Sequence, residues 1–170
     1  ETLYLALAII VFWCVSKGLG YYTLTVGFAG TVLNQFLKIT CRIPRPWVQD
    51  PEFTIVESAR AEATGYSFPS GHTQNAFASF GCIGMWSRRT LWRVVCALII
   101  ALIALSRMYL GVHTPLDVGV ALVLGLALTL ALWPLFRDIE EHPKRMYAAM
   151  AALLALTAAY IAYTELFPFP

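Results

Sequence analysis

LWRVVCALIIALIALSRMYL (residues 91–110), GVHT (111–114) and PLDVGVALVLGLALTLALWPLF (115–136) form one stretch in which two long apolar runs flank a break of four residues. A helix rises about 1.5 Å per residue and the hydrocarbon core of a bilayer is about 30 Å thick, so each run is long enough to cross it. Their charged residues, Arg93, Arg107 and Asp117, all lie near the run ends. Working outward, further apolar runs occupy residues 2–16, 22–37, 72–86 and 146–167. The three before residue 90 are short, and the second and third of the six can borrow flanking residues. The expectation is an all-α integral membrane bundle with about six transmembrane helices.

Composition agrees with lipid as the solvent. Apolar residues are 59% of the 170, charged residues 13%, and mean hydropathy is +0.67, a balance that a water-soluble domain of this size could hardly cover with polar surface. The net charge of +2 comes from scattered basic residues, which excludes a nucleic-acid footprint. Cys14, Cys41, Cys82 and Cys96 make no CxxC pair, and neither a disulfide framework nor a structural zinc is expected. The chain opens on Glu1 directly before an apolar run, with no basic region typical of a signal peptide. Further sequence, such as another span, is expected to precede it.

Turn-like or charged segments separate the runs: Lys17-Gly18-Leu19-Gly20, Ser87-Arg88-Arg89 and residues 137–145. Alternating the spans places Lys17, Arg88, Arg89, Arg93, Arg137, Lys144 and Arg145 on one side and Lys38, Arg42, Arg45, Arg60 and Arg107 on the other. The positive-inside rule makes the first side cytoplasmic. The longest connection, residues 39–69, then faces outward, and a connection of that length is expected to be functional. It carries Phe53, Ile55 and Val56 beside Glu52, Glu57, Arg60 and Glu62, a mixture suited to the interface and to a lipid's path inward.

Three polar blocks meet on that outer side. Lys38 is followed after six residues by Arg45-Pro46; Pro69-Ser70-Gly71-His72 leads into the third span; Ser106-Arg107 ends the fourth, with His113 and Asp117 opening the fifth. Two guanidinium groups and an ammonium suit a tetrahedral dianion. Ser70 and Gly71 sit where a helix begins, so a hydroxyl and backbone N–H groups can address an anion. Thr114-Pro115 read as an N-cap and first helical residue, which puts Asp117 in the first turn where its carboxylate can fold back onto His113. That pairing leaves the other ring nitrogen as a nucleophile or base, while His72, without such a neighbour in sequence, suits a general acid.

These blocks resemble the three-part signature of the type 2 phosphatidic acid phosphatases, a superfamily that also includes glucose-6-phosphatase and the vanadium haloperoxidases. Every motif position matches between Lys38 and Asp117. The resemblance implies a haloperoxidase-like helical core, His113 as nucleophile, His72 as acid, Asp117 as orienter, and Lys38, Arg45, Ser70, Gly71 and Arg107 as phosphate binders. It implies neither metal nor other cofactor. Its membrane members act on lipid phosphates or polyprenyl diphosphates, so the expected substrate is phosphatidate, phosphatidylglycerol phosphate, a sphingoid phosphate or undecaprenyl diphosphate, and the expected place the cell membrane with an extracytoplasmic site. Residues 1–170 then form a single membrane-embedded phosphatase domain, with the motifs in 38–117. Oligomeric state is left open.

Plainer readings apply to neighbouring residues. Arg42 and Arg60 suit snorkelling to the interface, Pro46 and Pro69 shape turns, and His142 is an ordinary loop residue. The five tryptophans lie near span ends or loops, where interfacial anchoring explains most of them. Ser106 can bond phosphate, Arg107 or its own backbone. Two rival functions use the same residues: a phosphate-binding transporter or scaffold without turnover, which the intact histidine pair opposes, and a vanadate-dependent peroxidase, which has no need of six apolar spans.

Overall fold

A computed structural model describes residues 2–61 and 63–167; Glu62, assigned above to the outer connection, lies outside the described residues. In order come α1 (Thr2–Cys14), α2 (Lys17–Cys41), α3 (Pro46–Gln49), α4 (Glu57–Arg60), α5 (Gly71–Ala76), a π-helical turn (Phe77–Gly81), α6 (Cys82–Trp86), α7 (Thr90–Tyr109), α8 (Pro115–Phe136) and α9 (Lys144–Leu166). The expected all-α bundle is what forms, with no strand among the described residues.

α7, α8 and α9 are long and apolar enough to cross a membrane, whereas α1 is a shorter apolar helix. The other expected spans are helical too, as α2 and as the rod made by α5, the π turn and α6. Apolar side chains face outward along the long helices: Leu98, Leu102 and Leu105 on α7 are each more than half exposed. A stripe of leucines turned away from the protein requires an apolar surrounding, and together with the helix lengths it marks a membrane protein.

α2 is the hub, packing against α1, α5, α6, α8 and α9. Its start differs from the sequence reading. Residues 17–20 are not a turn: the chain breaks at Val15–Ser16, and Ser16 caps α2 by accepting the Leu19 N–H at 3.3 Å. Gly20 serves helix packing, since a Cβ there would lie 2.5 Å from Cβ of Phe12. α2 ends where Arg42 takes a left-handed conformation, φ 51°. The core below gathers Tyr22, Val26, Ala78, Cys82 and Phe136, and the Tyr22 hydroxyl donates to the Thr129 carbonyl of α8.

The two ends of the bundle differ. At one, Gly18 of α2 lies against Trp86 and Ile139, and Ser16 reaches Glu140 at 3.5 Å. His142 and Arg145 both pair with Asp138 there, at 3.8 and 2.6 Å. Trp86 and Trp133 pack edge to face and Trp47 is half-buried, so among the described residues Trp13 and Trp92 are the tryptophans strongly exposed at helix ends. The end of α2, the starts of α5 and α8 and the end of α7 meet at the opposite end, where the three polar blocks lie.

Candidate active site

Local sequence sets the start of α8. Thr114 Oγ1 accepts the Asp117 N–H at 3.2 Å, and Asp117 Oδ2 accepts the Thr114 N–H at 2.8 Å, a reciprocal capping box followed by Pro115 in the first turn. The cap does more than start a helix. It holds the Asp117 carboxylate so that Oδ2 lies 3.5 Å from Nδ1 of His113, both side chains being almost completely buried. The same oxygen accepts the hydroxyl of Ser67, itself fully buried. An imidazole whose Nδ1–H faces a carboxylate presents Nε2 as its lone pair.

That Nε2 is 3.1 Å from Nη1 of Arg45. The Arg45 guanidinium also donates to three backbone carbonyls, of Val112 at 3.0 Å, Thr64 at 2.8 Å and Gly65 at 3.1 Å. One buried arginine thus ties the end of the outer connection to the turn before α8. Burial lowers the Arg45 pKa, opposed by Asp117. Burial likewise pulls the His113 pKa below the ordinary histidine value, and the charges of Arg45 and Lys38 act the same way against the Asp117 contact. Burial thus favours the neutral imidazole.

Two cavities meet at this centre. The first, about 320 Å³, is lined by Lys38, Arg45, Gly71, His72 and His113 together with Thr31, Asn34, Gln35, Gln74 and Asn75. The second, about 310 Å³, is lined by Arg107, Arg45, His72 and His113 and by Ser58, Ala59 and Ala63 of the outer connection. Arg45, His72 and His113 are common to both. Lys38, whose Nζ donates to the Tyr66 carbonyl at 3.2 Å, and Arg107 face them from either side.

The structure thus brings His113, Asp117, Arg45, His72, Lys38, Gly71 and Arg107 to one place. Ser70 is adjacent, but it lines neither cavity. Its Oγ is the N-cap acceptor of α5, bonded by the Thr73 N–H at 3.5 Å and the Thr73 hydroxyl at 3.0 Å, and its own N–H donates to the Asp117 carbonyl at 3.1 Å. Ser106 donates to the Ile103 carbonyl at 2.7 Å and accepts from Arg107 Nε at 3.3 Å. Arg60 pairs with Glu57 at 3.4 Å. Among the described residues no three of His, Cys, Asp and Glu stand together as a metal site.

Sequence reasoning missed two features. One is Ser67, whose only signal is a small hydroxyl residue just ahead of the Pro69 block. The other is the polar wall of the first cavity. Thr31, Asn34, Gln35 and Lys38 repeat at i, i+3, i+4 and i+7, a polar stripe in an apolar segment. Gln74 and Asn75 interrupt the third apolar run, and polar residues inside a membrane segment are expensive and tend to be functional.

Comparison with known proteins is consistent with this geometry. Undecaprenyl-diphosphatase BcrC of Bacillus subtilis is 30% identical to the chain, covering 76% of it and 65% of the relative. A dihydrosphingosine 1-phosphate phosphatase of Schizosaccharomyces pombe is 29% identical over 86% of the chain and 38% of its own length. Phosphatidylglycerophosphatase B of Bacillus subtilis is 28% identical over 74% and 60%. The chain therefore spans less than two thirds of each of these relatives. No solved structure matches at a significant level. The family model for the PAP2 superfamily matches residues 3–141, the stretch that contains the whole histidine and arginine cluster, and the chain belongs to that superfamily.

Proposed function

We propose that this chain is a membrane lipid phosphatase, hydrolysing a phosphomonoester or diphosphate of a lipid through a phosphohistidine on His113, and that residues 1–170 act as one membrane-embedded domain. The observation that carries this reading is the buried His113, held at Nδ1 by Asp117 and facing an arginine with Nε2 between two cavities lined by basic residues. A phosphoryl group entering between Lys38, Arg45 and Arg107 takes over Arg45 N–H bonds and uncovers the Nε2 lone pair. Nε2 attacks phosphorus as the bond to the leaving oxygen breaks, and His72 gives that oxygen its proton. In the second step a water attacks phosphorus, His72 takes the water's proton, the N–P bond breaks and phosphate leaves. Gly71 contributes backbone to the cradle, and Ser70 sets the turn from which it points.

Donor chemistry supports a metal-free reaction. Divalent ions in phosphoryl transfer are held by several hard oxygen ligands, whereas the motifs supply one carboxylate, Asp117, committed to His113, Ser67 and Thr114. Neutralisation of the phosphoryl oxygens falls to Lys38, Arg45 and Arg107. The reading is tested on purified protein in detergent: His113→Ala loses nearly all phosphate release and forms no acid-labile phosphoenzyme, and activity persists in excess EDTA with inhibition by vanadate. Substantial turnover by His113→Ala, or loss in EDTA restored by magnesium, overturns it.

A further inference from the structure

The first cavity holds a group that the phosphoryl chemistry leaves unused. Gln74 is 2% exposed and lines this cavity together with Lys38, Arg45, His72 and His113, yet neither Nε2 nor Oε1 of its carboxamide has a hydrogen-bond partner in the protein. Leaving a buried donor and acceptor unpaired is costly, so such a group calls for a reason. Space for it is left by α2. Gly30 of α2 faces the amide so closely that a Cβ there would lie 3.0 Å from Nε2 and 3.4 Å from Cγ. Gln74 stands one helical turn beyond Gly71 and lines the same cavity as His72, the acid of the phosphatase reading.

Resting on the phosphatase reading, we propose that Gln74 forms a leaving-group subsite that recognises an alcohol hydroxyl close to the scissile phosphate, so that the preferred substrates are phosphomonoesters of hydroxyl-bearing lipid alcohols. The chemistry of the amide selects among leaving groups. A carboxamide offers a donor and an acceptor side by side. A second phosphate, as in a polyprenyl diphosphate, would satisfy Nε2 and set an anion against the Oε1 dipole. An ester carbonyl would also satisfy Nε2 alone. A hydroxyl accepts from Nε2 and donates to Oε1, pairing both. The cations of this cavity, Lys38 and Arg45, are taken up by the phosphoryl group in the phosphatase reading, and the rest of the polar wall, Thr31, Asn34, Gln35 and Asn75, is uncharged, which fits a neutral polar group better than a second anion.

The test uses the full chain in detergent micelles with five substrates: phosphatidylglycerol phosphate and dihydrosphingosine 1-phosphate, which carry a hydroxyl near the phosphate; phosphatidate and farnesyl diphosphate, which do not; and p-nitrophenyl phosphate, which has no lipid part. Wild type is expected to prefer the first two over the next two by about tenfold in kcat/KM, as for sites that pair a substrate hydroxyl. Gln74→Leu lowers kcat/KM for the first two by about tenfold and changes the other three by less than about twofold. Gly30→Ala, which crowds the amide without touching a charged group, gives the same pattern. A wild-type preference for farnesyl diphosphate, or equal losses on all five substrates in both variants, overturns the subsite while leaving the phosphatase reading intact. Absence of phosphate release from every substrate by wild type overturns the phosphatase reading itself, and the subsite with it.

Discussion

At the scale of single residues, the lowered pKa of His113 has a consequence whose sign is determined by burial. Burial disfavours the imidazolium, so the folded protein keeps His113 neutral at a pH where a histidine in the unfolded chain is already protonated. Its contribution to stability is therefore complete above the ordinary histidine value and is lost as pH falls from there toward the lower folded value. If neutral His113 is the nucleophile, the acid limb of kcat/KM, which reports the free enzyme, falls below about pH 6.5. A limb at or above that value would show that His113 is not the group titrating. Ser67 supplies a second test at this scale. Its hydroxyl donates to the oxygen of Asp117 that faces His113, which makes it a positioning residue. Ser67→Ala removes that donor and frees Asp117 to turn from the ring. kcat should fall about tenfold with KM little changed and the acid limb displaced, because orientation of a buried hydrogen-bonded pair is lost rather than binding. An unchanged pH profile with only a lower melting temperature would reduce Ser67 to a structural role.

At the scale of elements, what could be read in advance depended on how local the signal was. The start of α8 was fully legible, because a capping box involves only Thr114 through Asp117 and the geometry follows from the chain itself. The break before α2 was misread because Gly18 and Gly20 carry a turn signal in one dimension and a packing signal in three; only the position of Phe12 and Trp86 separates them. The π turn at Phe77–Gly81 has no such local mark: a Cβ at Gly125 would lie 2.5 Å from Phe77 Cβ, a contact between helices distant in sequence. The outer connection lay between these extremes. Its short helices α3 and α4 were not foreseen, but its apolar residues were, and they pack where the chain turns: Val56 N–H donates to the Leu110 carbonyl at 3.2 Å, while Gly111, at φ 74°, has room for no side chain against Thr54 and Phe53. Phe53 is nevertheless 41% exposed, so part of its ring is left uncovered by the Gly111 packing. Phe53→Ser should weaken kcat/KM for long-chain substrates several-fold more than for p-nitrophenyl phosphate, since a soluble aryl phosphate has no chain to bury. Equal losses on both, with a lowered melting temperature, would assign Phe53 to the Gly111 packing alone.

At the scale of the whole molecule, the open quantity is which end of the bundle faces out. The structure separates the two ends: Lys38, Arg45, His72 and Arg107 gather at one, while Lys17, Arg88, Arg89, Arg93, Arg137, Lys144 and Arg145 belong to helix ends and turns at the other. The basic residues of the first group line the cavities, and in the phosphatase reading they bind substrate, so they should be discounted as topology signals. The second group then carries the positive-inside bias almost alone, and the orientation we propose from it has the site on the extracytoplasmic face. Cysteine labelling in intact cells tests this orientation. Cys14 and Cys41 are both exposed and must be replaced first, whereas Cys82 and Cys96 are buried and can stay. Cysteines at Gln49 and Ser58, both exposed on the outer connection, should react with a membrane-impermeant maleimide, and one at Thr90, exposed at the start of α7, should react only after permeabilisation. The reverse pattern would put the histidines on the cytoplasmic side. Any lipid processed there would then have to present its phosphate from the inner leaflet, because a charged headgroup does not cross about 30 Å of hydrocarbon unaided.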